Sequence, residues 1–346
     1  MRDVILGWLL KLALIGLSLG GVELLVRLAR LVPPLESQYA GNVADSPISF
    51  GKRPFSTLTG RAASGEFTFT YHHNSRGFRD DEHETTKPPG VFRIVALGDS
   101  FTYGVGAAFE ETYLARLERL LNDRPTAQRR VEIIKLGLPR HFPTLEEGVL
   151  EHYGWSFEPD LVLVTVLPND VIDTALGVDA MLVSESGFLL SRYGQRFGRA
   201  GEWMYLHSHL ARVFMVHATA LLLSYTADLH PQDIYRDQGA HESDWRQLEA
   251  DLAHMQESTR QHGAGFVVVS IPQRSPWQDF HEYPDRRLAT WSIEHGALFI
   301  ATLPTLRAAE PSAQLYWPKD GHCTPAGYAV IARTVFAELT AHQLVP

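Results

Sequence analysis

The stretch RIVALGDSFTYGVG, Arg93 to Gly106, joins an apolar run to a glycine and a polar turn. A continuous apolar run that ends at a glycine predicts a strand covered on both faces. Asp99 and Ser100 follow directly. Asp and Ser side chains often cap a helix, and serine can also act as a nucleophile. This stretch alone therefore predicts the strand and leaves the role of Ser100 open.

Further apolar runs continue the pattern along the chain, in the stretches VEIIKLG, DLVLVTVLPND, GFVVVSIP and ALFI. Amphipathic segments separate them, and the strongest, DWRQLEADLAHMQESTRQHG, places Leu248, Leu252 and Met255 on one stripe. Thr324 and Pro325 are typical of the N-cap and first turn of a final helix. Strands that alternate with helices predict an α/β fold with a parallel sheet.

The N-terminal stretch VILGWLLKLALIGLSLGGVELLV, Val4 to Val26, is long and apolar enough to cross a bilayer. No small-x-small cleavage site follows closely, which favours an uncleaved signal anchor over a cleaved signal peptide. A buried helix of a soluble domain is the alternative. Basic residues flank both ends, so the positive-inside rule leaves the orientation open.

These patterns divide the chain into three parts. Residues 1–30 are predicted as the membrane anchor, 31–90 as a linker with a short β-rich lead-in, and 91–346 as the main domain. Residues 171–240 break the strand–helix alternation and are predicted to be an insertion. Within it, VFMVHATALLLS indicates a helix packed on the domain rather than a second membrane span.

Composition narrows the class of function. The chain has 346 residues, a net charge of −9 and no basic patch, which argues against a nucleic-acid binder. The single cysteine, Cys323, allows no internal disulfide and is interpreted as a small core residue. The pairs His72-His73 and His207-x-His209 lack accompanying carboxylates, so no metal or cofactor is expected. GDSFTYG ends without the GK[ST] of a phosphate loop.

Polar residues follow the ends of several predicted strands, in GDSFT, LGLPR, LPND and DGHCTP. Ligands bind beyond the carboxyl ends of the strands in open parallel sheets. Acyl transfer needs a hydroxyl, a base and an orienting carboxylate, which Ser100, His322 and Asp320 can supply. The backbone amides of Ser100 and Gly137 and the side chain of Asn169 can form the oxyanion hole.

Each residue also has a structural interpretation. Ser100 can cap a helix, Gly137 can serve a tight turn and Asn169 can belong to a turn. His322 can be an ordinary surface histidine, because the chain has sixteen histidines. The combination of four such motifs at strand ends favours catalysis.

These motifs resemble the blocks of the SGNH/GDSL hydrolase superfamily. GDSFT resembles its first block, the glycine of LGLPR its second, LPND its third GxND block, and DGH its last. The resemblance implies a flavodoxin-like three-layer α/β/α sandwich without a cofactor. It also implies Ser100 as nucleophile, Asp320 and His322 as the rest of the triad, and Gly137 and Asn169 in the oxyanion hole.

The sequence departs from the family pattern at two places. Leu167 stands where the third block usually has glycine, which suggests a crowded rim. Asp320 precedes His322 by two residues rather than three, a variant similar to that of membrane-anchored members that handle polysaccharide acetyl groups. The resemblance therefore favours an extracytoplasmic catalytic domain held by the N-terminal helix.

The primary hypothesis is a membrane-anchored serine esterase that cleaves an O-acyl or O-acetyl group from a carbohydrate or cell-envelope substrate. An O-acetyltransferase of a cell-surface polysaccharide, and a non-catalytic domain that binds a glycan or partner, are the alternatives. The sequence specifies neither the acyl group nor the oligomeric state.

Overall fold

The computed structural model describes residues 2–29, 31, 39–44, 48–124, 129–178, 181–184, 187–191, 198–215, 233–236, 239–274 and 277–346. It forms two compact units. One comprises Met1–Glu36 with Leu190–Asp228, and the other comprises Ser37–Leu189 with Leu229–Pro346.

The strands, in chain order, are β1 (Asn42–Ala44), β2 (Phe50–Lys52), β3 (Thr57–Arg61), β4 (Thr68–His72), β5 (Val91–Leu97), β6 (Arg130–Lys135), β7 (Leu161–Val166), β8 (Met181–Val183), β9 (Leu189–Ser191), β10 (Gly265–Ser270) and β11 (Leu298–Ala301). The helices are α1 (Arg2–Leu28), α2 (Ser100–Tyr103), α3 (Tyr113–Asn122), α4 (Pro143–His152), α5 (Pro168–Leu176), α6 (Gly198–His207), α7 (Glu242–Gln261), α8 (Tyr283–His295), α9 (Leu303–Ala309) and α10 (Pro325–Ala341).

The larger unit is built around a five-stranded parallel sheet in the order β6-β5-β7-β10-β11. When these five strands are numbered from 1 to 5 along the chain, their order in the sheet is the 2-1-3-4-5 of flavodoxin-like folds. The predicted α/β fold with a parallel sheet is confirmed. The strand order reverses between β5 and β7, and the ends of these two strands carry Ser100 and Asn169.

Alternate residues of the strands supply two separate cores, as the two-residue period of a strand requires. Ile94 and Ala96 of β5 join a cluster with residues of α3 and α10. Val95 and Leu97 join a second cluster with residues of α4, α7 and α8. The sheet is thus covered on both faces, which explains why its strands are almost wholly apolar.

Helix caps fix where the last helix begins. Thr324 is the N-cap of α10 and its hydroxyl accepts a hydrogen bond from the Gly327 N–H at 3.3 Å, with Pro325 in the first turn. This is the predicted start. Tyr328 and Ile331, in the following turns, are fully buried in the first core cluster. The cap therefore holds the loop before α10 against the sheet.

Residues 39–61 lie within the predicted linker and β-rich lead-in. They contain β1, β2 and β3, and β1 pairs with β2 in antiparallel fashion. Ile48, Phe50 and Lys52 are buried, each with about 2% of its surface exposed. β3 pairs with β4 in antiparallel fashion and forms a hairpin. The sequence did not locate β1 and β2 individually, because strands of three residues have no clear periodicity.

The smaller unit contains α1, whose segment Val4–Leu28 is long and apolar enough to cross a membrane. Glu23, near the C-terminal end of this segment, accepts hydrogen bonds from the backbone N–H groups of His209 and Leu210, each at 2.8 Å. Within the described residues α1 is the one helix that meets the criteria for a membrane span. Most of VFMVHATALLLS, residues 216–224, lies outside the described residues.

Candidate active site

Ser100 is the first residue of α2, three positions after β5 ends. Gly98 has a φ of 151°, a conformation that L side chains rarely adopt. Asp99 caps α2, and its Oδ1 accepts a hydrogen bond from the Phe101 N–H at 2.8 Å. Asp99, rather than Ser100, is therefore the cap of this helix. It also presents the Ser100 hydroxyl at the carboxyl end of the sheet.

His322 is in direct contact with Ser100. The distance from Ser100 Oγ to His322 Nε2 is 2.8 Å, and from His322 Nδ1 to Asp320 Oδ1 it is 2.5 Å. The side chains of His322 and Asp320 are 10% and 4% exposed. The Phe101 ring lies 5.0 Å from the imidazole, centroid to centroid. Residues 222 positions apart thus form one hydrogen-bonded series.

The loop that carries Asp320 and His322 is closed on itself. The Trp317 N–H donates to the His322 carbonyl and the Gly321 N–H donates to the Trp317 carbonyl, both at 2.8 Å. Gly321 has a φ of 91°, which favours glycine. This turn places the Asp320 carboxylate under the imidazole of the residue two positions later, which accounts for the short Asp-x-His spacing.

Glu66, in the turn between β3 and β4, secures the same loop from outside. Its carboxylate accepts a hydrogen bond from the Asp320 N–H at 2.8 Å and another from the Lys319 N–H at 3.0 Å. Sequence reasoning missed Glu66. No local pattern indicates a contact between residues 254 positions apart.

Gly137 follows β6 and packs against the start of α2. A Cβ at this position would lie 2.6 Å from Thr102 Cγ2 and 2.7 Å from the Tyr103 backbone nitrogen. Only glycine fits at this position, because the start of α2 lies too close for a Cβ. The flanking Leu136 and Leu138 N–H groups pair with β5 residues and the adjoining Gly98. The Gly137 N–H makes no backbone hydrogen bond within the described part of the chain, so it can serve as an oxyanion donor.

Asn169 lies in the first turn of α5, at the end of β7. Its Nδ2 is 3.4 Å from Asp99 Oδ2 and 3.3 Å from Asp173 Oδ2. Asp99 Oδ2 in turn lies 3.3 Å from Ser100 Oγ. Asn169 Nδ2 and Ser100 Oγ therefore both contact the same oxygen of Asp99. Its long hydrogen bonds are ones that an oxyanion can replace.

Buried carboxyl groups lie at these two strand ends. Burial raises the pKa of Asp99, although the Phe101 N–H and nearby His322 act in the opposite direction. Burial and the neighbouring Asp99 and Glu146 raise the pKa of Asp170 well above its usual value. Glu146 is shifted in the same direction, by burial first and then by Asp99. Like charges that are desolvated together disfavour simultaneous ionisation, so these groups hold protons to a higher pH.

Leu167 and Cys323 both lie in the first core cluster. Leu167 does not crowd the rim, because its side chain is 1% exposed and packs in the first core cluster. It also donates its N–H to Asp170 Oδ2 at 2.8 Å, as the cap of α5. Cys323 is fully buried in the same cluster, and burial raises the pKa of its thiol. This environment matches a core residue rather than a reactive thiol.

The histidine pairs weighed as metal ligands make other contacts. His73 contacts the Tyr103 hydroxyl at 2.8 Å, and His72 contacts the Thr57 hydroxyl at 3.0 Å. His207 contacts a backbone carbonyl. Among the residues that the structure describes, one group of three potential ligands occurs, formed by Glu147, Asp251 and His254. It includes neither of these histidine pairs.

Tyr39 is a further neighbour of the site that the sequence did not indicate. Its hydroxyl lies 3.3 Å from His322 Nε2, the nitrogen that also contacts Ser100. The structure thus brings together a hydroxyl, an imidazole and a carboxylate, with two candidate oxyanion donors beside them. Such an arrangement can move a proton from Ser100 Oγ to His322 while Asp320 holds the ring.

A sequence model of the GDSL-like lipase/acylhydrolase family matches residues 96–330. No curated protein matches the sequence.

The chain also matches solved structures at low sequence identity. The crystal structure of TesA is 15% identical and covers 72% of this chain and 98% of its own, with a TM-score of 0.44. A catalytic mutant of Axe2, an acetylxylan esterase from Geobacillus stearothermophilus, is 15% identical over 74% of this chain and 96% of its own, with a TM-score of 0.44. LAE5, an alpha/beta hydrolase enzyme from the metagenome of Lake Arreo, Spain, is 14% identical over 74% and 96%, with a TM-score of 0.46.

Proposed function

Because the chain belongs to the GDSL-like lipase/acylhydrolase family, whose members hydrolyse esters, we propose that it is a serine esterase with Ser100 as nucleophile. The observation that supports this most directly is the 2.8 Å distance from Ser100 Oγ to His322 Nε2. A serine hydroxyl is a weak nucleophile and needs a base within this range. The 2.5 Å contact of Asp320 with His322 Nδ1 supplies the third group.

Acylation begins when Ser100 Oγ attacks the ester carbonyl carbon and its proton passes to His322 Nε2. Asp320 accepts the hydrogen bond from Nδ1–H, which fixes the tautomer and stabilises the imidazolium. The negative charge on the carbonyl oxygen is met by the backbone amides of Ser100 and Gly137 and by the Asn169 side chain. The intermediate then breaks its bond to the leaving oxygen, which receives the proton from His322.

Deacylation repeats these steps with water. His322 takes a proton from the water as its oxygen attacks the acyl carbon, and the bond to Ser100 Oγ breaks. The proton returns to Ser100 Oγ and the carboxylic acid leaves. Each oxyanion donor contributes about 3 kcal/mol of transition-state stabilisation in such sites.

We extend the proposal to the substrate and the location. The candidate membrane span Val4–Leu28 favours a membrane anchor, and the short Asp-x-His spacing resembles that of members that handle polysaccharide acetyl groups. We therefore propose an O-acyl group on a carbohydrate of the cell envelope as substrate, with the larger unit outside the cytoplasm. Protease added to intact spheroplasts should digest this unit. Full protection there, with digestion after lysis, would place it in the cytoplasm.

The test of the mechanism uses the full chain purified in detergent. Ser100→Ala should lower kcat on p-nitrophenyl acetate by about a thousandfold or more, because the nucleophile is lost. Ser258→Ala removes a matched hydroxyl from the exposed face of α7, and it should keep wild-type activity. A fluorophosphonate probe should label the wild type and not Ser100→Ala. Full activity of Ser100→Ala would refute the mechanism.

The alternatives differ in their products. An O-acetyltransferase would use the same acyl-enzyme and pass the acyl group to a sugar hydroxyl in place of water. Acylated sugar in reactions with a polysaccharide acceptor would identify it. A non-catalytic binding domain would leave Ser100 unlabelled by the probe. The burial of Leu167 weakens that last alternative, since the predicted crowding of the rim is what favoured it.

A further inference from the structure

We propose that Tyr39 is a catalytic residue on the alcohol side of the ester and that Lys52 is the positioning residue that holds it there. The inference rests on the proposed function. Its geometric basis is that the Tyr39 hydroxyl lies 3.3 Å from His322 Nε2, while Ser100 Oγ lies 2.8 Å from the same nitrogen. Two hydroxyl groups therefore share the nitrogen that exchanges protons with the substrate.

The backbone of Tyr39 is held by a buried lysine, Lys52. Lys52 Nζ donates hydrogen bonds to the carbonyl oxygens of Tyr39 at 2.9 Å and Ala40 at 3.1 Å, and to Asn42 Oδ1 at 2.8 Å. Lys52 is 2% exposed. Buried lysines are usually paired with a carboxylate, but within the described residues the three hydrogen bonds of Lys52 go to two backbone carbonyls and one side-chain amide. Its three donors are directed instead to the segment that carries Tyr39.

Further contacts fix the same segment to its neighbours. Asn42 Nδ2 donates to the Tyr39 carbonyl at 2.5 Å and to the Gly187 carbonyl at 2.9 Å. The Arg53 N–H donates to the Gly41 carbonyl at 3.1 Å. The Tyr39 side chain is half-buried and packs against the apolar cluster of β4 and its neighbours. The Tyr39 side chain is therefore held in a defined position beside His322.

The position of the hydroxyl determines its role. When the tetrahedral intermediate collapses, the leaving oxygen must lie within hydrogen-bond distance of His322 Nε2 to receive the proton. The Tyr39 hydroxyl lies in that same zone, so it can donate a hydrogen bond to the leaving oxygen as negative charge develops there. The proton from Ser100 passes through His322 to the alcohol, and Tyr39 keeps its own proton throughout.

This role makes a selective prediction about leaving groups. An alkoxide leaves with difficulty and needs both the proton from His322 and a hydrogen bond from Tyr39. A p-nitrophenolate leaves as a stable anion and needs neither. Tyr39 should therefore favour esters of ordinary alcohols, such as sugar hydroxyls, and contribute little to hydrolysis of activated aryl esters.

The experiment compares Tyr39→Phe with the wild type, both as full chains in detergent. kcat/KM for triacetin, an alkyl ester, should fall about tenfold, as expected for the loss of one hydrogen bond. The burst rate of acylation by p-nitrophenyl acetate should stay within about twofold. Tyr283→Phe is the matched control, because it removes a hydroxyl that contacts Arg287 on α8, and it should behave as the wild type.

Lys52→Met tests the positioning role. It should show the same selective loss on triacetin, and the double variant with Tyr39→Phe should lose no more than either alone. If Lys52→Met does not fold, Asn42→Ala is used in its place, because it removes one hydrogen-bond acceptor of Lys52.

Equal losses on both esters in Tyr39→Phe, or no loss on triacetin, would overturn the inference while the fluorophosphonate labelling of Ser100 stands. Absence of that labelling in the wild type would overturn the proposed function and this inference together.

Discussion

Replacing Glu66 should disable the site although this residue lies outside the proposed triad. Its carboxylate accepts the N–H groups of Lys319 and Asp320, and thereby holds the loop whose Asp320 side chain orients His322. Hydrogen bonds to a charged acceptor contribute about 1.5 to 3 kcal/mol each. Because Glu66 is half-buried, the lower value applies, which gives about 3 kcal/mol for the two bonds.

The expected loss of activity follows from this energy. About 1.4 kcal/mol corresponds to a factor of ten in rate. If the loop needs both hydrogen bonds to Glu66 in every turnover, a loss of about 3 kcal/mol corresponds to about a hundredfold fall in kcat/KM for Glu66→Ala. The hydrogen bonds within the loop, from Trp317 to His322 and from Gly321 to Trp317, retain part of its shape. We therefore expect a fall of about ten- to a hundredfold.

The assay is hydrolysis of p-nitrophenyl acetate together with the rate of fluorophosphonate labelling, both with the full chain in detergent. The two rates should fall in parallel, because both depend on the reactivity of Ser100. Glu257→Ala is the control, since Glu257 is an exposed glutamate on α7 that pairs with Arg260. Activity of Glu66→Ala within about threefold of the wild type, in a folded protein, would refute the reasoning.

Gly137→Ala should lower stability by about 1 to 3 kcal/mol and also lower kcat, because the new Cβ would lie 2.6 Å from Thr102 Cγ2; wild-type values in urea unfolding and in the ester assay would contradict this. Asn169→Ala should lower kcat about a hundredfold with little change in KM, and a loss below about threefold would exclude Asn169 from the oxyanion hole. His141→Gln should remove an acid-sensitive contribution to stability. Burial lowers the pKa of His141 to about 4, so the unfolded chain binds a proton first as the pH falls below about 6.5, and the folded state loses about 1.4 kcal/mol per pH unit until pH 4. Urea unfolding at pH 7 and pH 5 should show a smaller drop in the variant, and an equal drop would contradict the assignment.

The sheet and its two layers of helices could be predicted because local pattern and burial agree there. β7, Leu161–Val166, is apolar at nearly every position and is buried on both faces, so its sequence reports its environment directly. The motifs after β5 and before α10 could be placed at one edge because parallel strands share their carboxyl ends. What the sequence could not provide is the distance between Ser100 and His322, which depends on how the whole sheet twists.

The lead-in resisted prediction for a different physical reason. Lys52 is charged, and a charged residue in a short polar stretch normally indicates a solvated surface. Its burial becomes favourable only when the carbonyl oxygens of Tyr39 and Ala40 converge on it, and that convergence is a property of the fold. The role of Glu66 could not be predicted either, because its hydrogen-bond partners lie at the far end of the chain.

Two residues of this lead-in contact the proposed triad or the loop that carries it. Glu66 holds the backbone of the loop that carries Asp320, and Tyr39 contacts the nitrogen of His322 that faces Ser100. The strands β1 to β4 that position them belong to the same compact unit as the parallel sheet, Ser37–Leu189 with Leu229–Pro346. We infer that the catalytic unit includes residues 39–90, since the sheet supplies the nucleophile and the lead-in fixes the groups that activate it.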